Sequence, residues 1–270
     1  MTSTPPPEVT GFPSVPPPPP DDHEPATHLA EGEVPWRWTD VLVVAGLSIA
    51  GILLLSASVV VSGWDGSLDD PRFAAILLLD GTIPAVAALA WLWLRYRPQH
   101  RLVWRPNPTR GPRAGVALAL GGLVGVGWYL AVDLIGVASL VVVTGYEPPE
   151  VQTEIAEAMA TPGLIMVATW VAVGVIAPLA EEIVFRGVLF LGLARSMGAV
   201  PAALLSSVVF AAVHVQDTLG GTLFLGGYAF VFGLFACWLL RRYGTLWLPI
   251  GAHAGSNILT LLIAGAVSGL

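Results

Sequence analysis

Seven apolar stretches, each near the roughly 20 residues that a helix needs to cross a bilayer, set the terms for everything else this chain can fold into. They fall at about 39–62, 72–94, 115–144, 163–190, 199–215, 221–240 and 245–266. Hydrophobic residues make up 55% of the chain and charged residues only 11%. Soluble domains carry about 25% charged residues, so this is an integral membrane protein. The expected fold is all-α, a polytopic transmembrane helical bundle of about seven spans. Eight are allowed, because the third and fourth stretches are long for a single crossing. Their length predicts a tilt, a break near 121–127 or an interfacial extension over 191–197. Pro84 and Pro178 predict kinks in the second and fourth spans.

Ahead of the spans, residues 1–36 hold the proline run Pro16 to Pro20 together with Asp21, Asp22, Glu24, Glu31 and Glu33. That composition has little to bury and predicts a disordered, acidic tail, which leaves 37–270 as the transmembrane domain. All twelve basic residues are arginine, and the net charge is −7. The balance argues against nucleic acid as a partner and leaves the lipid bilayer as the expected surroundings. Arg95, Arg97, Arg101, Arg105, Arg110 and Arg113 crowd the second connection, and Arg195, Arg241 and Arg242 fall in the fourth and sixth. By the positive-inside rule these connections are cytoplasmic, so the expectation is a multi-pass cell-membrane protein with a cytoplasmic N-terminus. Trp36, Trp38, Trp64, Trp91, Trp93 and Trp247 lie near span ends, as interfacial anchors do. Between the third and fourth spans, 148–161 alternates Val151, Ile155, Ala158 and Met159 with Glu150, Glu154 and Glu157, which predicts a short amphipathic helix on the outer surface.

Charge inside the apolar stretches is where function is expected, since an ionised side chain near the bilayer centre costs roughly 2.5 kcal/mol or more on insertion scales. Glu182 and Arg186 are four residues apart and share a helix face. Glu181 points about 100° away, so the simplest division has Arg186 neutralising Glu182 and Glu181 left to handle a proton. A plain structural ion-pair cluster is the blander alternative. His214 follows Phe210 by one turn near the end of the fifth stretch, and His253 and Asn257 are four apart on the seventh. Each alone is compatible with packing, since such residues also join membrane helices. Together, a base, histidines and an amide are what a water-activating site needs. Glu181, His214 and His253 could also supply a two-histidine, one-carboxylate zinc set, and the residues leave metal and metal-free chemistry both open. Asp80 and Asp133 are further intramembrane acids, read as helix-pairing or cavity-lining groups. Cys237 reads as a small packing residue.

The ordered motifs Glu181-Glu182-x-x-x-Arg186, Phe210-x-x-x-His214 and His253-x-x-x-Asn257 resemble those of the CPBP family, the CAAX proteases and bacteriocin-processing enzymes also called Abi, which include the type II CAAX prenyl endopeptidases. The likeness covers about 164–262. It implies a CAAX-protease-like intramembrane endopeptidase acting on a membrane-associated or lipid-modified protein or peptide. In its terms Glu181 and His214 activate a water, His253 and Asn257 hold the oxyanion, and Glu182 and Arg186 support them. A non-proteolytic scaffold or bacteriocin-immunity protein is the main rival reading, and a proton-coupled transporter a weaker one.

Overall fold

A computed structural model describes residues 33–67 and 70–268, so most of the acidic tail lies outside the described residues. Eight helices follow in order: α1 (Trp38–Val61), α2 (Pro71–Arg95), α3 (Ala114–Thr144), α4 (Thr153–Ala160), α5 (Leu164–Met197), α6 (Ala199–Ala212), α7 (Leu219–Tyr243) and α8 (Trp247–Ser268). Six of them are long and apolar enough to cross a membrane. The described residues form a polytopic helical bundle. The fifth expected span is α6, whose 14 residues rise only about 21 Å against a hydrocarbon core of about 30 Å. His214 follows its end, with its ring against that of Phe210. The predicted amphipathic helix is α4, with Ala158 and Met159 buried and Glu154 and Glu157 exposed.

The chain begins to pack earlier than composition suggests. Val34 and Trp36 are fully buried, so the boundary expected at residue 36 moves back to about Val34. Arg195 at the end of α5 donates to the carbonyls of Val34 and Pro35, and Trp36 Nε1 donates to Gly187 O at 3.1 Å. Trp36 is therefore a packing residue and not the interfacial anchor its position suggested. Asp40, in the first turn of α1, accepts from the backbone N–H of Arg37, from Trp91 Nε1 at 2.9 Å and from Tyr96 OH at 2.7 Å. One carboxylate thus caps α1 and ties it to the end of α2. Burial first, and then this hydrogen bond, push the Tyr96 phenol up to about 12, so it keeps its proton as a donor.

No break occurs at 121–127. Those glycines instead let α3 lie against α8. A Cβ on Gly121 or Gly125 would collide with the carbonyls of Leu248 or Ala252, and one on Gly251 or Gly255 with those of Leu118 or Gly122. This is a close approach of two small-xxx-small faces, which membrane helices use where no hydrophobic drive separates them from lipid. It has a consequence for the site, because His253 sits between Gly251 and Gly255. The long helices deform by widening: wide π turns span Leu130–Val137 in α3 and Ala172–Ile176 and Glu182–Phe190 in α5. Pro178 offers no N–H to the turn before it, and that turn, Ala172–Ile176, is a wide one.

Candidate active site

The wide turns release backbone carbonyls from their usual partners, and polar side chains from other helices take them up. Asn257 Nδ2 of α8 donates to Val173 O at 2.9 Å, Ser206 Oγ of α6 donates to Phe185 O at 2.9 Å, and Trp36 takes Gly187 O. Such turns concentrate at functional sites because they re-aim side chains as well as carbonyls. Here they bracket Glu181 and Glu182 on both sides.

Glu182 and Arg186 are both wholly buried, and Arg186 Nη1 stands 3.0 Å from Glu182 Oε1. The guanidinium lies over the Phe210 ring, 4.2 Å from its centroid, and 6.0 Å from that of Phe232. A cation between aromatic faces and a carboxylate loses less on burial than either charge alone. Glu182 Oε1 is shared with His253, whose Nδ1 lies 3.0 Å away. That contact was not anticipated from the spacing of the motifs, and it joins the first motif to the third. It also fixes the imidazole: Nδ1–H points to the carboxylate, and Nε2 faces forward, 3.7 Å from Glu181 Oε2. Phe232, 4.9 Å away centroid to centroid, packs on the His253 ring.

Glu181 is placed differently from its neighbour. Its side chain retains 29% exposure, and its Oε2 has no hydrogen-bond partner. It opens onto a cavity of about 600 Å³ that is also lined by His214, His253 and Asn257, with Phe210, Tyr228, Phe232 and Ser256 around them. Four of the six expected site residues share this cavity, and the other two stand behind its wall. His214 Nδ1 is 2.7 Å from Phe210 O, a carbonyl that can only accept, so Nδ1 carries the proton and Nε2 is left as the free ring nitrogen.

Asp80 is exposed on α2 and lines no part of the cavity, whereas Asp133 does line it. Among the described residues, no three histidine, cysteine, aspartate or glutamate side chains converge closely enough to hold a metal ion. Glu181, His214 and His253 do not form such a group, and the two imidazoles are anchored at Nδ1 to different partners, Phe210 O and Glu182.

Sequence reasoning did not find Val173, Tyr228, Ser256 or Phe232. Val173 acts through its carbonyl and could leave no side-chain signal. The spacing of Tyr228 and Phe232 is one helical turn, but aromatic pairs at that spacing are ordinary core.

A helical bundle with membrane-length apolar spans and buried charge behind a polar-mouthed cavity is the class that the fold and the site define. Within that class, residues 163–259 match the family described as type II CAAX prenyl endopeptidase Rce1-like, in agreement with the CPBP resemblance of the motifs. The matched segment runs from the start of α5 into α8, contains all six site residues, and indicates a protease. No curated protein and no solved structure matches the chain.

Proposed function

We propose that this chain hydrolyses a peptide bond of a membrane-associated protein or peptide with a water activated by Glu181 and His214. The observation that carries the reading is the sorting of the two adjacent glutamates: Glu181 is part-exposed on the cavity, and Glu182 is wholly buried against Arg186 and His253. Glu181 takes a proton from the water, and the free Nε2 of His214 accepts from the same water and orients it. A positioned base of this kind contributes about 10²- to 10⁴-fold. As the carbonyl carbon is attacked, negative charge grows on its oxygen. A protonated His253 donates from Nε2, and Asn257 donates with the amide hydrogen not spent on Val173 O, each such donor being worth about 10²-fold or more. Glu182 and Arg186 are positioning residues, which hold His253 through its Nδ1. Protonated Glu181 then returns its proton to the leaving amine.

Arg195 at the end of α5 and Arg241 and Arg242 at the end of α7 support one orientation in the membrane. Glu181 lies 14 residues before Arg195, about 21 Å at 1.5 Å per residue, and the cavity residues of α7 all precede Arg241. If those arginines are cytoplasmic, the cavity occupies the outer half of the bundle, with α4 as part of its wall and the N-terminus inside. Single cysteines at exposed Pro108 and exposed Ser67 should label from opposite faces of intact cells, with the native Cys237 silent because it is buried. Labelling of both from one face contradicts this orientation.

The function is tested by quantitative membrane proteomics of cells carrying the wild type against cells carrying Glu181→Gln. A substrate shortened only by the wild type, and cleaved by the purified protein in the presence of a zinc chelator, is expected. Indistinguishable peptide maps would favour the scaffold or immunity reading.

A further inference from the structure

One buried polar group on the cavity is left unused by peptide-bond chemistry. Asp133, in the wide turn Leu130–Val137 of α3, lines the cavity, and its Oδ2 is buried without a hydrogen-bond partner. Beside it is Tyr228 of α7, whose hydroxyl accepts from Trp128 Nε1 at 3.0 Å and lies 3.2 Å from Ser256 Oγ of α8. That hydroxyl has a single proton to give, so with Ser256 Oγ donating to it Tyr228 supplies Asp133 with one donor. A carboxylate can accept at about four lone-pair positions, so the donors here fall well short. A carboxylate oxygen shut from water in that state is costly unless something fills the deficit. Val132, Phe224 and Leu225 are among the lining residues and no arginine is, so the cavity supplies no fixed cation to this carboxylate and leaves room for one from a ligand.

The place of this group relative to the chemistry is set by the helices. Tyr228 is one turn before Phe232, which packs on His253, and Ser256 is three residues after His253. One turn is about 5.4 Å and an extended peptide advances about 3.3 Å per residue, so the two sites are about two substrate residues apart. We propose that Asp133 and Tyr228 form a specificity subsite for a cation carried on an apolar segment, a lysine or arginine side chain or a free amino group, within about two residues of the bond that is cut. The position of that bond rests on the proteolytic reading. The binding itself does not.

The test uses the full chain in phosphatidylcholine nanodiscs and two fluorescent apolar peptides identical except for lysine or norleucine at one position. Binding is measured in the wild type and in Glu181→Gln, which removes the other unpaired carboxylate of the cavity. The lysine peptide should bind on the order of tenfold tighter in both, as a charge-assisted hydrogen bond supplies. Asp133→Asn should abolish the preference, Asp133→Glu should keep it, and Asp133→Lys should reverse it toward a glutamate peptide. Equal binding of the two peptides by the wild type overturns the proposal, as does a preference that survives Asp133→Asn or vanishes with Glu181→Gln alone. Should Asp133→Asn not fold, the lysine preference of Asp133→Glu and its reversal in Asp133→Lys still decide. Cation-selective binding without cleavage contradicts proteolysis alone, and cleavage with no cation preference contradicts the subsite alone.

Discussion

Glu181 and Glu182 are neighbours in sequence and belong to different regions of the molecule. Behind the cavity wall, Glu182 and Arg186 form a block, capped by the cavity-lining Phe210 and Phe232, in which charge is paired, stacked and shut away from water. On the cavity, Glu181, His214 and Asn257 keep an atom or a face uncommitted. The difference teaches that intramembrane charge has two separate uses here. In the proposed reading the block behind the wall organises helices and the cavity face does the chemistry. His253 belongs to both, with one ring nitrogen on each side.

The comparison can be broken most severely from the back. Arg186→Ala strands Glu182 in a dry site, and removing one partner of a buried pair typically costs about 3–5 kcal/mol. The detergent-solubilised protein should lose most of its folded yield, and activity should fall with it. A well-folded Arg186→Ala protein would show that the pair organises little. A smaller effect is expected where α3 meets α8. Gly125→Val forces the helices apart at Ala252, an overpacking worth about 2–3 kcal/mol, and shifts His253 with them. Thermal melting should drop, and the activity that remains should fall further than the folded fraction does. The smallest change comes from the N-terminal segment. Trp36→Phe keeps the packing but leaves Gly187 O without its donor, about 1–2 kcal/mol by melting, with the chemistry on the cavity little altered.

Much of this was legible because the bilayer imposes one dominant rule. Every apolar stretch read from the sequence is a helix within a few residues, and the amphipathic segment before α5 is one as well. The motif residues were legible because charge in such stretches is conspicuous: Glu182 and Arg186 pair as their spacing of four predicts. What stayed hidden depends on backbone geometry and tertiary contact. Pro178 hinted at a deformation but not at a wide turn, and nothing in the side chain of Val173 announces an acceptor for Asn257. Trp36 resembled an interfacial tryptophan because the pattern of tryptophans near span ends cannot tell lipid from a neighbouring helix. The bond between Glu182 and His253 joins residues 71 apart, beyond the reach of any local pattern.

The central claim is that the acid on the cavity does the chemistry while its neighbour does the architecture. It is tested most directly by cleavage rate and folded yield measured side by side for purified Glu181→Gln and Glu182→Gln. Glutamine keeps the size of either side chain and removes its basicity. Glu181→Gln should accumulate and melt like the wild type while turnover falls by at least about 10²-fold. Glu182→Gln should fail chiefly in yield and melting, because Arg186 then loses its counter-charge. A Glu181→Gln protein that cleaves at the wild-type rate, or that folds as poorly as Glu182→Gln, would contradict the account.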